Sequence, residues 1–117
     1  MKYINDLARD IAIKDFSDVV ARHKSKVPSG TKIADVVASM EKQSLLESLI
    51  RDDWKNDGTD KNGLYLLKTA SGYEVFTGER GIKNWLETFA DLKSACSSLV
   101  DLVLNELLHE APNSKIR

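Results

Sequence analysis

A chain of 117 residues fits one domain of ordinary size, so a second folded domain is not expected. With 42% hydrophobic and 30% charged residues the composition is globular, and a formal net charge of −1 denies the chain the positive field that drives non-specific phosphate binding. Nucleic acid is therefore not the expected partner, and the lone Cys96 excludes an internal disulfide.

The N-terminal half reads as helix. Ile4, Leu7, Ala8 and Ile11 make one stripe at helical spacing, while Phe16, Val19, Val20 and His23 make a second, turned by roughly a third of a circle. Either the helix breaks near Lys14 and Asp15, or its two ends pack against different neighbours. "VPSGT", residues 27–31, interrupts the pattern, and Ser29 or Thr31 can cap the next helix. That helix is expected over 32–54 on Ile33, Val36, Val37 and Met40, with a break near residue 43 because Leu45, Leu46, Leu49 and Ile50 lie on the opposite side. Ser44 and Glu47 have the spacing of a capping box for a restart.

"DDWKNDGTDKNG", residues 52–63, is the main loop signal. It divides a helical half, 1–54, from a β-meander plus helix, 64–109, within a single domain over 1–117. "LYLLKTA" and "YEVFT" flank "SG" as a hairpin, and "IKNWLETF" follows the turn "GERG" as a third strand. A two-residue period places Trp85 and Phe89 on one face of that strand and Ile82 and Leu86 on the other, so both faces carry apolar bulk: one is core under the last helix, and the other needs the N-terminal helices or a partner. Asp91 can cap a last helix striped by Leu92, Ala95, Cys96, Leu99, Leu102, Val103 and Leu107, and the tail "HEAPNSKIR" is expected to fray. The expected fold is α+β: N-terminal helices, a three-stranded antiparallel meander and a C-terminal helix packed on the sheet.

Chemistry-bearing motifs are sparse. A calcium loop starting at Asp53 would put Lys55 at its third position and Leu64 at its twelfth, where oxygen ligands are required, so the register fails. His23 and His109 are far apart and Cys96 lies on an apolar stripe, so neither a zinc spacing nor a Cys–His pair can be read. Glu79 and Arg80 could serve a small hydrolase or nuclease as acid and electrophile. No phosphate-cradling loop or nucleophile elbow accompanies them, so a charged turn is the expected role, with no cofactor and no metal.

"GYEVFTGERGIKNWLETFADLKSACSSLVDLVL", residues 72–104, resembles a segment common in small bacterial immunity proteins that accompany polymorphic toxins, including contact-dependent growth inhibition systems. Tyr73, Phe76, Glu79, Arg80, Gly81, Phe89, Ala95 and Cys96 carry the resemblance, which covers about a quarter of the chain. It implies a non-enzymatic cytoplasmic binder that blocks one cognate toxin domain, often a nuclease whose basic surface suits an acidic ligand. Between Asp52 and Asp60 four aspartates face one lysine, the strongest local field in the sequence. The expected partner-binding residues are accordingly Asp52, Asp53, Asp57, Asp60, Tyr73, Glu74, Glu79 and Trp85; an adaptor domain is the remaining alternative. The absence of a ~20-residue apolar run or an apolar leader in "MKYINDLARD" sets the expectation of a cytoplasmic protein with no membrane partner.

Overall fold

Two apolar stripes that do not share a face require two helices, and the chain forms them: α1 (Lys2–Ile13) and α2 (Phe16–His23), separated at Lys14 and Asp15. The computed structural model describes residues 2–108. His109 and the tail expected to fray lie outside them. Leu7, Ala8, Ile11 and Val19 are buried, so each stripe faces the core from its own direction.

α3 (Ile33–Lys42) buries Val36, Val37 and Met40 as expected, but it is shorter than the sequence suggests. Its N-cap is Lys32, with no side-chain cap bond, so neither Ser29 nor Thr31 caps it. Beyond Lys42, Ser44 takes a left-handed conformation (φ 59°), and a 3-10 turn, Leu46–Leu49, follows with Leu45 at its cap. Ser44 thus sits one residue too early to cap, and the expected continuation to residue 54 is replaced by an extended segment from Ile50.

Three strands, β1 (Gly63–Thr69), β2 (Gly72–Glu79) and β3 (Ile82–Phe89), form an antiparallel sheet in the order β1-β2-β3. The first hairpin turns at Ala70 and Ser71, because Gly72 already pairs with Thr69. Gly72 is required there: a Cβ would lie 2.2 Å from the Phe89 carbonyl oxygen. α4 (Leu92–Leu108) covers one face of the sheet, on the side of Leu64, Leu66 and Val75. It also meets α2 and α3, so its buried face is wider than one stripe: Val100 and Leu104 are buried, and Leu102 only half so. Cys96 is a core residue whose thiol donates to the Leu46 carbonyl at 3.6 Å, and burial pushes that thiol up to about 12.

The opposite face of the sheet is closed by residues 51–62, which the sequence presents as a solvated loop. Trp54 packs at 5.0 Å from both Tyr65 and Phe76, and those two rings stack at 5.3 Å. Gly78 makes room, since a Cβ there would come within 2.7 Å of Trp54 and 2.9 Å of Tyr65. Trp54, and not the N-terminal helices, packs on this face.

Two expectations follow for stability. Leu99→Ala removes a buried side chain from α4 and should lower unfolding free energy by roughly 2–5 kcal/mol, read as a reduced urea midpoint. Asp91 caps α4 by accepting from the backbone N–H of Ser94 at 2.8 Å and from its hydroxyl at 3.0 Å, in that order of effect, which holds its pKa below the usual carboxylate range. The folded value being lower than the unfolded one, this contribution is complete above the ordinary aspartate range and is lost as pH falls through the folded value. An acid titration of thermal stability should therefore fall less steeply in Asp91→Asn than in the parent.

Candidate functional site

The turn "GERG" is a two-residue hairpin. Glu79 pairs with Ile82, and the two residues between them, Arg80 and Gly81, both have positive φ (54° and 78°), as the right-handed twist of the flanking strands prefers. Arg80 donates its backbone N–H to Asn62 Oδ1 at 2.9 Å, and a Cβ on Gly81 would lie 2.8 Å from the Gly58 Cα. The acidic loop and this turn therefore form one end of the molecule. Glu79 and Arg80 themselves are exposed, and no second polar group converges on them among the described hydrogen bonds and ion pairs.

Most of the loop's negative charge is already engaged inside the loop. Asp60 accepts from the backbone N–H groups of Lys55 and Asn56, the latter at 3.0 Å. Asp57 accepts from the hydroxyl and the backbone N–H of Thr59, at 2.5 and 3.0 Å, and the hydroxyl first, then the amide, holds its carboxyl below the ordinary range. Asp53 forms a two-point pair with Arg51 at 3.1 and 2.5 Å. Only Asp52 has no hydrogen bond or ion pair among the described residues. With Arg51 and Lys61 included, the segment carries three cations against four aspartates, so its outward field is weaker than the aspartates alone imply.

Of the expected apolar contacts, Tyr73 is half-buried against the core, and Glu74 pairs with Lys83 at 2.9 Å. Trp85 stands apart. The ladder slips between Val75, paired with Glu87, and Thr77, paired with Asn84, so Trp85 and Leu86 together oppose Phe76 in a bulge. The bulge breaks the expected alternation: Phe89 packs on the core, whereas Trp85 is 80% exposed, with Ile82 at 61% and Leu86 at 47% beside it. Trp85 also has a left-handed backbone (φ 59°), a conformation uncommon for an aromatic residue.

The two edges of the sheet differ. Along β1, Arg51 donates its backbone N–H to the Leu66 carbonyl at 2.8 Å and its guanidinium to the Leu64 carbonyl at 3.2 Å, so that edge is partly capped. β3 has no such cover among the described residues, which leaves an apolar strand with an open backbone edge.

A second polar constellation escapes the sequence reading. The Tyr3 hydroxyl lies 2.6 Å from His23 Nδ1, and His23 Nε2 lies 2.7 Å from Asp10 Oδ2, a carboxylate that Arg22 also meets at 3.3 Å. Burial, reinforced by Asp10, pushes the Tyr3 phenol above its usual range. His23 is thus a satisfied core histidine, as its place on an apolar stripe suggests. The readable signal was Tyr3 and Asp10, seven residues apart on the same side of α1 and flanking Leu7.

The chain matches none of the protein-family models, curated proteins or solved structures with which it was compared. Among the described residues no group of three or more His, Cys, Asp or Glu is placed to hold a metal ion, and no helix is long and apolar enough to cross a membrane.

Arg80 offers a local check on the turn. Asn tolerates the left-handed region that Arg resists, so Arg80→Asn should raise unfolding free energy by roughly 1 kcal/mol. Equilibrium denaturation reads this directly; an unchanged midpoint would mean that the bond to Asn62, not backbone preference, sets the turn.

Proposed function

We propose that the protein is a stoichiometric, non-enzymatic inhibitor that binds and neutralises a toxin domain, with a cytoplasmic site of action and a nuclease as the expected target. The observation that carries this reading is the open edge of β3, where Ile82, Trp85 and Leu86 are exposed together on a strand whose other side is held by the fold. Contiguous exposed apolar residues mark interaction surfaces, and tryptophan is enriched among the residues that dominate binding energy. The resemblance of residues 72–104 to immunity proteins supplies the class of partner.

Charge has a supporting part. Asp52 and Glu79 are exposed and without partners among the described residues, so they can act on the association rate with a basic surface. Asp53, Asp57 and Asp60 serve the loop first. Replacing all four aspartates would loosen the cover on the sheet as well as the field.

The test uses a purified candidate toxin domain, sought first in the gene immediately upstream. Trp85→Gly gives the left-handed position the residue that fits it, so folding stability should be maintained or raised, while affinity falls by about 2 kcal/mol, some thirtyfold. Asp52→Asn with Glu79→Gln should slow association and flatten its salt dependence while dissociation changes little. If the folded Trp85→Gly protein binds and protects as well as the parent, β3 is not the contact surface.

A further inference from the structure

Beside the GERG turn, on the α4 side of the sheet, lies a pocket of about 340 Å³, at the small end of the range for ligand sites and large enough for one long side chain. Its position follows from the strand register. Leu64 pairs with Thr77, Glu79 lies two residues beyond Thr77, and Ile82 pairs with Glu79, so these four residues share a face. The first turn of α2 contributes Phe16 and Ser17 to the lining, and Asn62 completes it ahead of β1.

The lining has one ionisable group, the exposed Glu79 carboxylate, which has no hydrogen bond or ion pair among the described residues. Its other polar side chains offer oxygen. The Thr77 hydroxyl donates to the Asn84 carbonyl at 3.2 Å, and Asn62 Oδ1 accepts from the Arg80 N–H at 2.9 Å, so each oxygen keeps capacity to accept another bond. No cationic side chain belongs to the lining, although Lys61 and Arg80 adjoin Asn62 and Glu79 in sequence. Asp15 precedes Phe16 and Asp18 follows Ser17, and neither forms an ion pair among the described residues. These two carboxylates outweigh the partial positive charge of about half a unit at the N-terminus of α2. Half-buried Phe16 and buried Leu64 supply apolar wall.

We propose that this pocket receives an arginine side chain from the basic surface of the toxin. The choice of partner rests on the function proposed above; the preference of the pocket for arginine stands on its lining alone. The methylene stem lies along Phe16 and Leu64, and the planar guanidinium, with N–H donors on several sides, meets the oxygens of Glu79, Thr77, Ser17 and Asn62. A lysine ammonium is more strongly hydrated and presents fewer donors, so it suits these spread acceptors less. Glu79 stays in contact with water and guides the cation in, an effect on association, whereas the apolar walls retain the side chain once it has entered. Ile82, 61% exposed and directly across from Glu79, joins the pocket to the surface around Trp85.

Amide NMR of the full chain titrated with N-acetyl-arginine amide tests the pocket without a toxin. Saturable shifts are expected at Ser17, Leu64 and Glu79. Affinity should be about threefold above that for N-acetyl-norleucine amide, an uncharged apolar analogue, and Glu79→Gln should erase the difference. Ser17→Phe, at an exposed position, fills the pocket and should weaken the arginine probe about fivefold and the candidate toxin about tenfold, the latter through faster dissociation. Glu79→Arg reverses the one charge of the lining and is a second route to weaker toxin binding, independent of any effect of Ser17→Phe on folding. Absence of saturable shifts at these amides, or equal binding of the two probes, overturns the proposal. Toxin binding that is weakened by Trp85→Gly but unchanged in folded Ser17→Phe and in Glu79→Arg overturns it too, while leaving β3 as the contact surface; binding unchanged in all three overturns both.

Discussion

Trp54 rests against Gly78 where no Cβ fits, and the sheet depends on that contact for its second covered face. A small sheet depends on covering its apolar surface, and α4 can cover only one side of these three strands. On the other side the stacked Tyr65 and Phe76 rings would be left to solvent without the indole. Arg51 lies 4.4 Å above the Tyr65 ring and Lys83 4.9 Å from that of Phe76, so two cations finish the cover where the rings end. The Trp54 indole N–H is buried with no hydrogen-bond partner among the described residues, a penalty of about 1–3 kcal/mol that the apolar contact must outweigh. Fixing Trp54 fixes the loop around it. The loop brings Gly58 to Gly81 and Asn62 to Arg80, and the turn they brace holds β3 against β2.

The elements with a strong period were readable. α1, α2 and α3 repeat apolar side chains at helical spacing, and the strands are bounded by glycines at turns, so the α+β arrangement followed. What was missed lacks any period. Trp54 is a single aromatic residue among Asp, Asn and Gly, a composition that signals a solvated turn whether or not one ring in it is buried. The bulge at Trp85 and Leu86 was hidden for a related reason: alternation along β3 can be written only if each residue has one partner, and here two share Phe76. The capping box failed on backbone geometry, because Ser44 in the left-handed region cannot begin the turn that Leu45 caps.

The acidic loop shows how a count of charges misleads when hydrogen bonding is left out. Asp60, Asp57 and Asp53 each accept bonds that shape the loop, so they are fixed partners of nearby donors before they are sources of a field. A carboxylate that closes a turn through backbone N–H groups is hard to spare for an interface, since leaving those donors unpaired loosens the segment. Candidate site residues read from sequence therefore divide by occupation. Asp52, Glu79 and Trp85 are unoccupied by the fold, whereas Tyr73 and Glu74 are held by the core and by Lys83.

The same criterion separates the two sheet edges. At β1 the backbone edge is partly satisfied by Arg51, which also pairs with Asp53 and covers Tyr65, so a single side chain ties edge, loop and ring together. At β3 the bulge gives the edge a twist of the kind that discourages indiscriminate strand pairing, yet it leaves a large apolar ring in solvent. Trp85 contributes little burial to the fold and sits in a backbone region that costs a non-glycine residue of order 1–3 kcal/mol. Neither feature has a compensating contact within the described residues. On the proposed reading, strain and exposure that the fold does not use serve a contact outside it, and a protruding tryptophan would then require a partner with a pocket to receive it.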